Sequence, residues 1–180
     1  MVSRRGAPLI AAVLAAASSA AAGCGTAPAG DRDARAGAVR LARVERVVDG
    51  DTVRLSGAGR VRLIGIDAPE VGAGRTECLG PEASAFARRL LPPGMRVQYE
   101  VGREPRDRYG RLLAYVWLAD GRLVNQAILE RGYATVLRIA PNDRFAPTLQ
   151  AAEGAARRRG AGVWGRSGCA GAGGHILATP

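Results

Sequence analysis

Four carboxylates and two arginines stand out by type and by spacing. Asp49 and Asp51 flank Gly50, Asp67 ends an aliphatic run, and Glu70 closes the same stretch, VRLIGIDAPE (61–70). Carboxylates offer oxygen ligands, and two of them at one place repel unless a cation joins them. Without histidine nearby, that cation is a hard one, calcium or magnesium. Asp51 and Asp67 are the expected pair, brought to facing ends of one hairpin. Arg62 lies inside the aliphatic run and Arg111 opens another, RLLAYVWL (111–118). An arginine fork holds two phosphate oxygens at once. Two forks converging on such a site would grip a phosphodiester and stabilise charge building at phosphorus. Glu70, with Pro69 fixing its direction, could accept a proton from an attacking water. Taken singly, each residue also reads as an ordinary turn, strand cap or surface charge. The set together does not.

Composition narrows the chemistry. The 180-residue chain carries 26 basic and 16 acidic residues, a formal charge of +10, and every basic residue is arginine. A cationic protein of this kind suits a polyanionic partner. The absence of lysine excludes a phosphate-loop lysine and a Schiff base. The sequence has one histidine, His175, and no Cys-x-x-Cys, which argues against a zinc centre and a His-based triad.

Those residues need elements to hold them. The first 23 residues are not fold material: a basic start precedes an apolar, Ala-rich run from Ala7 to Ala22, too short for the roughly 20 residues of a stable span. This reads as a signal peptide. Ala21-Ala22-Gly23-Cys24 resembles a lipobox, in which Cys24 takes the lipid, although Ala21 stands where a larger aliphatic is usual. Plain secretion after an Ala-x-Ala site is the other reading, and both place the protein outside the cell or on the outer face of its membrane. If Cys24 is lipidated or left over, Cys78 and Cys169 remain as a pair in an oxidising compartment.

Residues 24–40, rich in Gly, Ala, Pro and charge, read as a flexible linker. The expected domain is 41–169. Alternation over 43–48, 52–55 and 61–66, with turns at Asp49-Gly50 and Gly57–Gly59, predicts a three-strand meander. A loop follows over 71–79. Pro81 and Glu82 open a helix that Pro92-Pro93 ends. Further strands are expected at 95–101 and 111–118, and helices at 123–130 and 146–159. The Gly-rich end, 170–180, reads as a disordered tail. Five strands with a helix between the third and fourth predict a mainly β Greek-key barrel of the oligonucleotide-binding (OB) type, plus three α-helices.

Five blocks, VVDGDTVRL, VRLIGIDAPE, ECLGPEASAFARRLL, DRYGRLLAYVWL and VNQAILERGYA, occur in an order that resembles the staphylococcal-nuclease-like thermonucleases. The resemblance implies calcium-dependent hydrolysis of DNA and RNA with 3′-phosphorylated products. Single-stranded nucleic acid is the expected partner, and nothing in the sequence demands more than a monomer. It implies Asp51, Asp67 and the Ala68 carbonyl as calcium ligands, with Asp49 behind them. It implies Arg62 and Arg111 on the scissile phosphate, Glu70 on the water, and Tyr109 with Arg108 on the substrate. Two departures bear on the substrate. The 71–79 loop is short and has only Arg75 as a cation, and Leu137, Arg138 and Ile139 stand where family members present tyrosines to the nucleotide. The alternatives are the same barrel binding nucleic acid without turnover, and a structural surface lipoprotein.

Overall fold

The computed structural model describes residues 37–72, 75–165 and 169. Residues 1–23, expected as a signal peptide, Cys24, most of the expected linker and residues 170–180, expected as a tail, lie outside these residues. In chain order the elements are β1 (Val39–Val47), β2 (Thr52–Leu55), β3 (Gly59–Leu63), β4 (Ile66–Asp67), β5 (Val71–Gly72), β6 (Arg75–Thr76), α1 (Gly80–Leu90), β7 (Arg96–Arg106), β8 (Leu112–Trp117), α2 (Val124–Glu130), β9 (Thr135–Val136) and α3 (Ala146–Arg158).

Strands β1, β2, β3, β8 and β7 close into a barrel in that order. All neighbours are antiparallel except β3 and β8, which run parallel. This is the OB-type barrel with three α-helices. Alternation decides what fills it: Val44, Val53, Leu55, Val61, Leu63, Val97 and Val116 are buried inside, while Arg54 and Arg60 on the same strands face out. Strand β8 is apolar on both faces for a physical reason. Tyr115 and Trp117 point away from the lumen and pack on Phe145, at ring distances of 4.6 and 5.7 Å. The helices cover that side, with α2 on α3 and α1 on α2.

Four details differ from the sequence reading. β1 begins at Val39, inside the expected linker, and the Gly37 amide already bonds the Val101 carbonyl at 3.0 Å. β7 continues to Arg106, with its register to β8 interrupted between Val101 and Arg106. The 71–79 loop contains a small hairpin, β5 with β6. Most important for the site, 61–66 is not one strand. β3 stops at Leu63, Gly65 takes φ +81°, and a Cβ there would sit 2.5 Å from Leu149 Cδ1. Only glycine permits that turn against α3.

Candidate active site

The expected hairpin does not place Asp67 opposite Asp51. In the β2–β3 register Thr52 faces Arg62, and the Leu63 amide bonds the Asp51 carbonyl at 2.8 Å. Asp67 arrives by another route: the Gly65 turn sends the chain back along the barrel end, where Asp67 pairs with Thr135. The Ala68 amide then donates to Asp51 Oδ2 at 2.7 Å. Gly50 makes this approach possible, because a Cβ on it would lie 2.6 Å from the Ala68 Cβ. Asn125 of α2, fully buried, holds the turn: its Nδ2 donates to the Ile64 carbonyl at 2.8 Å and its Oδ1 accepts from Val116 N at 3.2 Å.

Arg62 joins the two carboxylates. Its Nη1 is 2.6 Å from Asp51 Oδ2 and donates to the Ile66 carbonyl at 2.9 Å, while its Nη2 is 2.7 Å from Asp67 Oδ1. Arg62 is 9% exposed and Asp51 only 3%. Burial pushes the Asp51 carboxyl up to about 7; Arg62 opposes this, and the negative charges of Asp49 and Asp67 add to it. Asp49 Oδ1 accepts the Asp51 amide at 3.1 Å, which tightens the turn before β2.

Glu70 is exposed beside this cluster. Partial desolvation and the field of Asp49 raise its pKa, with Asp67 and Glu77 adding and Arg62 opposing. Its backbone is held from both sides by Glu77: the Glu70 amide donates to Glu77 Oε2 at 3.1 Å, and the Glu77 amide donates to the Glu70 carbonyl at 2.9 Å. The next residue, Cys78, is disulfide-bonded to Cys169, with Cα atoms 5.6 Å apart across a sequence separation of 91.

Arg111 reaches the cluster from β8's entry. Its Nη1 lies 3.5 Å from Thr52 Oγ1, and Thr52 Oγ1 donates to Asp51 Oδ1 at 3.2 Å. Asp107 orients it: Oδ2 accepts from Arg111 Nε at 2.6 Å, and Oδ1 accepts the amides of Tyr109 and Arg111, both at 2.9 Å. Burial raises the Asp107 pKa, but the Arg111 side-chain and backbone hydrogen bonds outweigh it and leave the carboxyl below its ordinary value. Tyr109, 68% exposed, lies between the guanidinium of Arg108 at 4.8 Å and that of Arg111 at 5.4 Å. Arg108 Nη2 also donates to the Tyr109 hydroxyl at 2.6 Å. A cleft of about 450 Å³ opens here, lined by Arg62, Tyr109 and Arg111 and by the apolar Leu113, Leu137 and Ile139.

The structure therefore gathers Asp49, Asp51, Arg62, Asp67 and Ala68 directly, and connects Arg111 to them through Thr52. Arg108 and Tyr109 stand with Arg111 at the cleft. Thr52, Asp107 and Asn125 had no role in the sequence reading. Asn125 carried a signal, a polar side chain amid the apolar positions of VNQAILE, and Asp107 stands four residues before Arg111.

The donor set suits a hard cation. Among the described residues no three His, Cys, Asp or Glu side chains form a metal-holding group. The set in question has two carboxylates and the Ala68 carbonyl, all oxygen. Burial disfavours the charged form of Asp51, and the positive charge of Arg62 beside it opposes that.

The molecule is thus a closed OB-type barrel with a guanidinium–carboxylate cluster whose Arg62 also lines the cleft. The family model described as staphylococcal nuclease homologue matches residues 60–166, and the chain belongs to that family. It is 39% identical over 128 residues to a thermonuclease of Staphylococcus intermedius, covering 68% of this chain and 75% of that protein. It is 34% identical over 127 residues to a thermonuclease of Staphylococcus hyicus, covering 68% and 74%. It is also 36% identical over 134 residues to Endonuclease YhcR of Bacillus subtilis, covering 67% of this chain but 11% of that much longer protein.

Proposed function

We propose that this chain is an exported, calcium-dependent nuclease that hydrolyses phosphodiester bonds of DNA and RNA, preferring single strands and leaving 3′-phosphorylated products. The carrying observation is the chain of contacts from Asp67 through Arg62, Asp51 and Thr52 to Arg111, beside a cleft of nucleotide size. Family membership and the thermonuclease relatives support the reading.

In this reading Arg62 and Arg111 grip the scissile phosphate. Arg62 also keeps the carboxylates together, and it lines the cleft in which the substrate would lie. Asp107 holds the Arg111 fork in one orientation before substrate arrives, which lowers the ordering cost of the clamp. Glu70 accepts the proton of the attacking water. As the water oxygen bonds to phosphorus the bond to the 5′ oxygen breaks and that leaving oxygen takes a proton from solvent, so the phosphate stays on the 3′ side. Tyr109 and Arg108 contact the substrate at the cleft's outer edge. Calcium, when held by Asp51, Asp67 and the Ala68 carbonyl, would supply Lewis-acid polarisation of the phosphate. The basic start and apolar run of residues 1–23 support export, and Cys24 is the proposed lipid attachment point.

The test is hydrolysis of single-stranded DNA by the mature chain, with calcium or with chelator, beside Glu70→Ala and Arg62→Ala. Cleavage that needs calcium and is lost in both variants supports the proposal. Cleavage indifferent to chelation, or surviving both substitutions, sinks it. Binding without cleavage by the wild type would make the chain a binding module.

A further inference from the structure

The outer face of the barrel carries a second row of cations next to the site. In register, Arg46 of β1 faces Arg54 of β2, and Arg54 faces Arg60 of β3. Register partners project to the same face, so three exposed arginines stand side by side across three adjacent strands. Neighbouring strands are about 4.8 Å apart. Like charges directly opposite one another destabilise a sheet, and only one carboxylate relieves them: Glu45 Oε2, 2.7 Å from Arg54 Nε. Among the described residues Arg46 and Arg60 have no carboxylate partner.

This row shares its face with the site. Residues two apart on a strand project the same way, so Arg60 lines up with Arg62, and Arg54 with Thr52. The register confirms the second row, since Thr52 faces Arg62, and Arg111 meets Thr52 at 3.5 Å. The arginine row is therefore the site's neighbour, about 6.8 Å further along the strands. That displacement is comparable to the reach from one backbone phosphate to the next in an extended strand.

We infer that Arg46, Arg54 and Arg60 form a phosphate-binding track that holds the nucleic-acid backbone continuing from the scissile phosphate. The ligand is a single-stranded phosphodiester chain, held without reading of bases. The inference rests on the nuclease reading for its direction, but the track itself requires only a polyanion. Its effect is to favour long substrates over short ones.

The experiment compares the full chain with the Arg46→Gln/Arg54→Gln/Arg60→Gln variant on a trinucleotide and on a long single-stranded DNA. The expected result is a roughly 10- to 100-fold loss of kcat/KM on the long strand, carried by KM, with the trinucleotide unaffected. The slope of log affinity against log salt should fall by about 1.4–2.1, at roughly 0.7 per lost contact. The Arg46→Gln/Arg60→Gln variant keeps the Arg54–Glu45 pair and should show a smaller loss in the same direction, with melting no lower than the wild type's. Equal losses on both substrates, or an unchanged salt slope, overturn the track. If the wild type cleaves neither substrate, the nuclease reading fails instead. Fluorescence anisotropy of the long strand in chelator then decides the track alone: a reduced salt slope supports it and an unchanged slope overturns it.

Discussion

Arg62 Nη1 stands 2.6 Å from Asp51 Oδ2, in a pair whose members are 9% and 3% exposed. One side chain thus serves the fold and the proposed chemistry together. Truncating it as Arg62→Ala leaves a buried carboxylate without its counter-charge. The expected loss is about 3–5 kcal/mol in urea unfolding, with cleavage down roughly 100- to 1,000-fold. Arg62→Lys keeps the charge but cannot reach Asp51, Asp67 and the Ile66 carbonyl together, so its stability should fall in between. An Arg62→Ala protein with the wild-type urea midpoint would contradict this account.

Gly50 should tolerate no side chain. Its missing Cβ leaves room for Ala68, 2.6 Å from where that atom would be, and the Ala83 Cβ is 3.2 Å away. Gly50→Ala forces Ala68 and Asp51 apart and should cost about 1–3 kcal/mol by overpacking, with the calcium requirement for half-maximal activity rising. Calorimetry and a calcium titration of cleavage check both parts. An unchanged titration would separate the Ala68 carbonyl from metal binding.

Much of the frame around Arg62 and Gly50 was legible in the sequence. Alternation in TVRL and GRVRL revealed β2 and β3, and the doubly apolar RLLAYVWL announced a strand covered on its outer side. The helix bounded by Pro81 and Pro92 was legible from its punctuation. The return of Asp67 to Asp51 was not, because VRLIGI reads as one apolar strand unless Gly65 is taken as a break. What restricts the turn to glycine is Leu149, far along the chain, and what anchors it is Asn125 on another helix. Residue types announced the site; long-range packing decided how its members meet. The two-residue strand β9, Thr135–Val136, is β-branched but too short to show alternation.

Asp107 makes a pH prediction. Its folded pKa lies below the ordinary carboxylate value of 3.8, because hydrogen bonds from Arg111 outweigh the burial that raises it. A carboxyl with a depressed folded pKa contributes stability above its unfolded pKa and loses it as pH falls through the folded one. Asp107→Asn should therefore flatten part of the stability decline from the ordinary carboxylate value downward and leave the slope near neutrality unchanged. It should also raise KM, since Arg111 Nε loses its charged partner. Acid titrations of melting temperature read the first effect, and an identical profile in the variant would disprove it.

The Glu77–Glu70 hydrogen bonds predict a split between kinetic constants. Glu77→Ala frees the Glu70 amide and should lower kcat by up to roughly 100-fold with little change in KM, while Glu77→Gln keeps an acceptor and most of the activity. A rise in KM alone would show that Glu77 acts on substrate binding.

Opening the Cys78–Cys169 bridge releases a long loop, worth up to about 4–5 kcal/mol in the chain-entropy model. The Cys78→Ser/Cys169→Ser protein should unfold at lower denaturant, and the wild type should match it under reductant. Equal stability with and without reductant would exclude a stabilising bridge.

The parallel pairing of β3 with β8, Arg62 beside Leu113, has a consequence in time. The carboxylates and the first arginine are synthesised early, but Arg111 lies on the far side of a helix and a long strand. Non-local pairing of this kind forms late in folding. The carboxylates and Arg62 are near one another in sequence, whereas Arg111 meets Thr52 only once β8 has paired with β3. The cluster is therefore completed by barrel closure, not by any local turn.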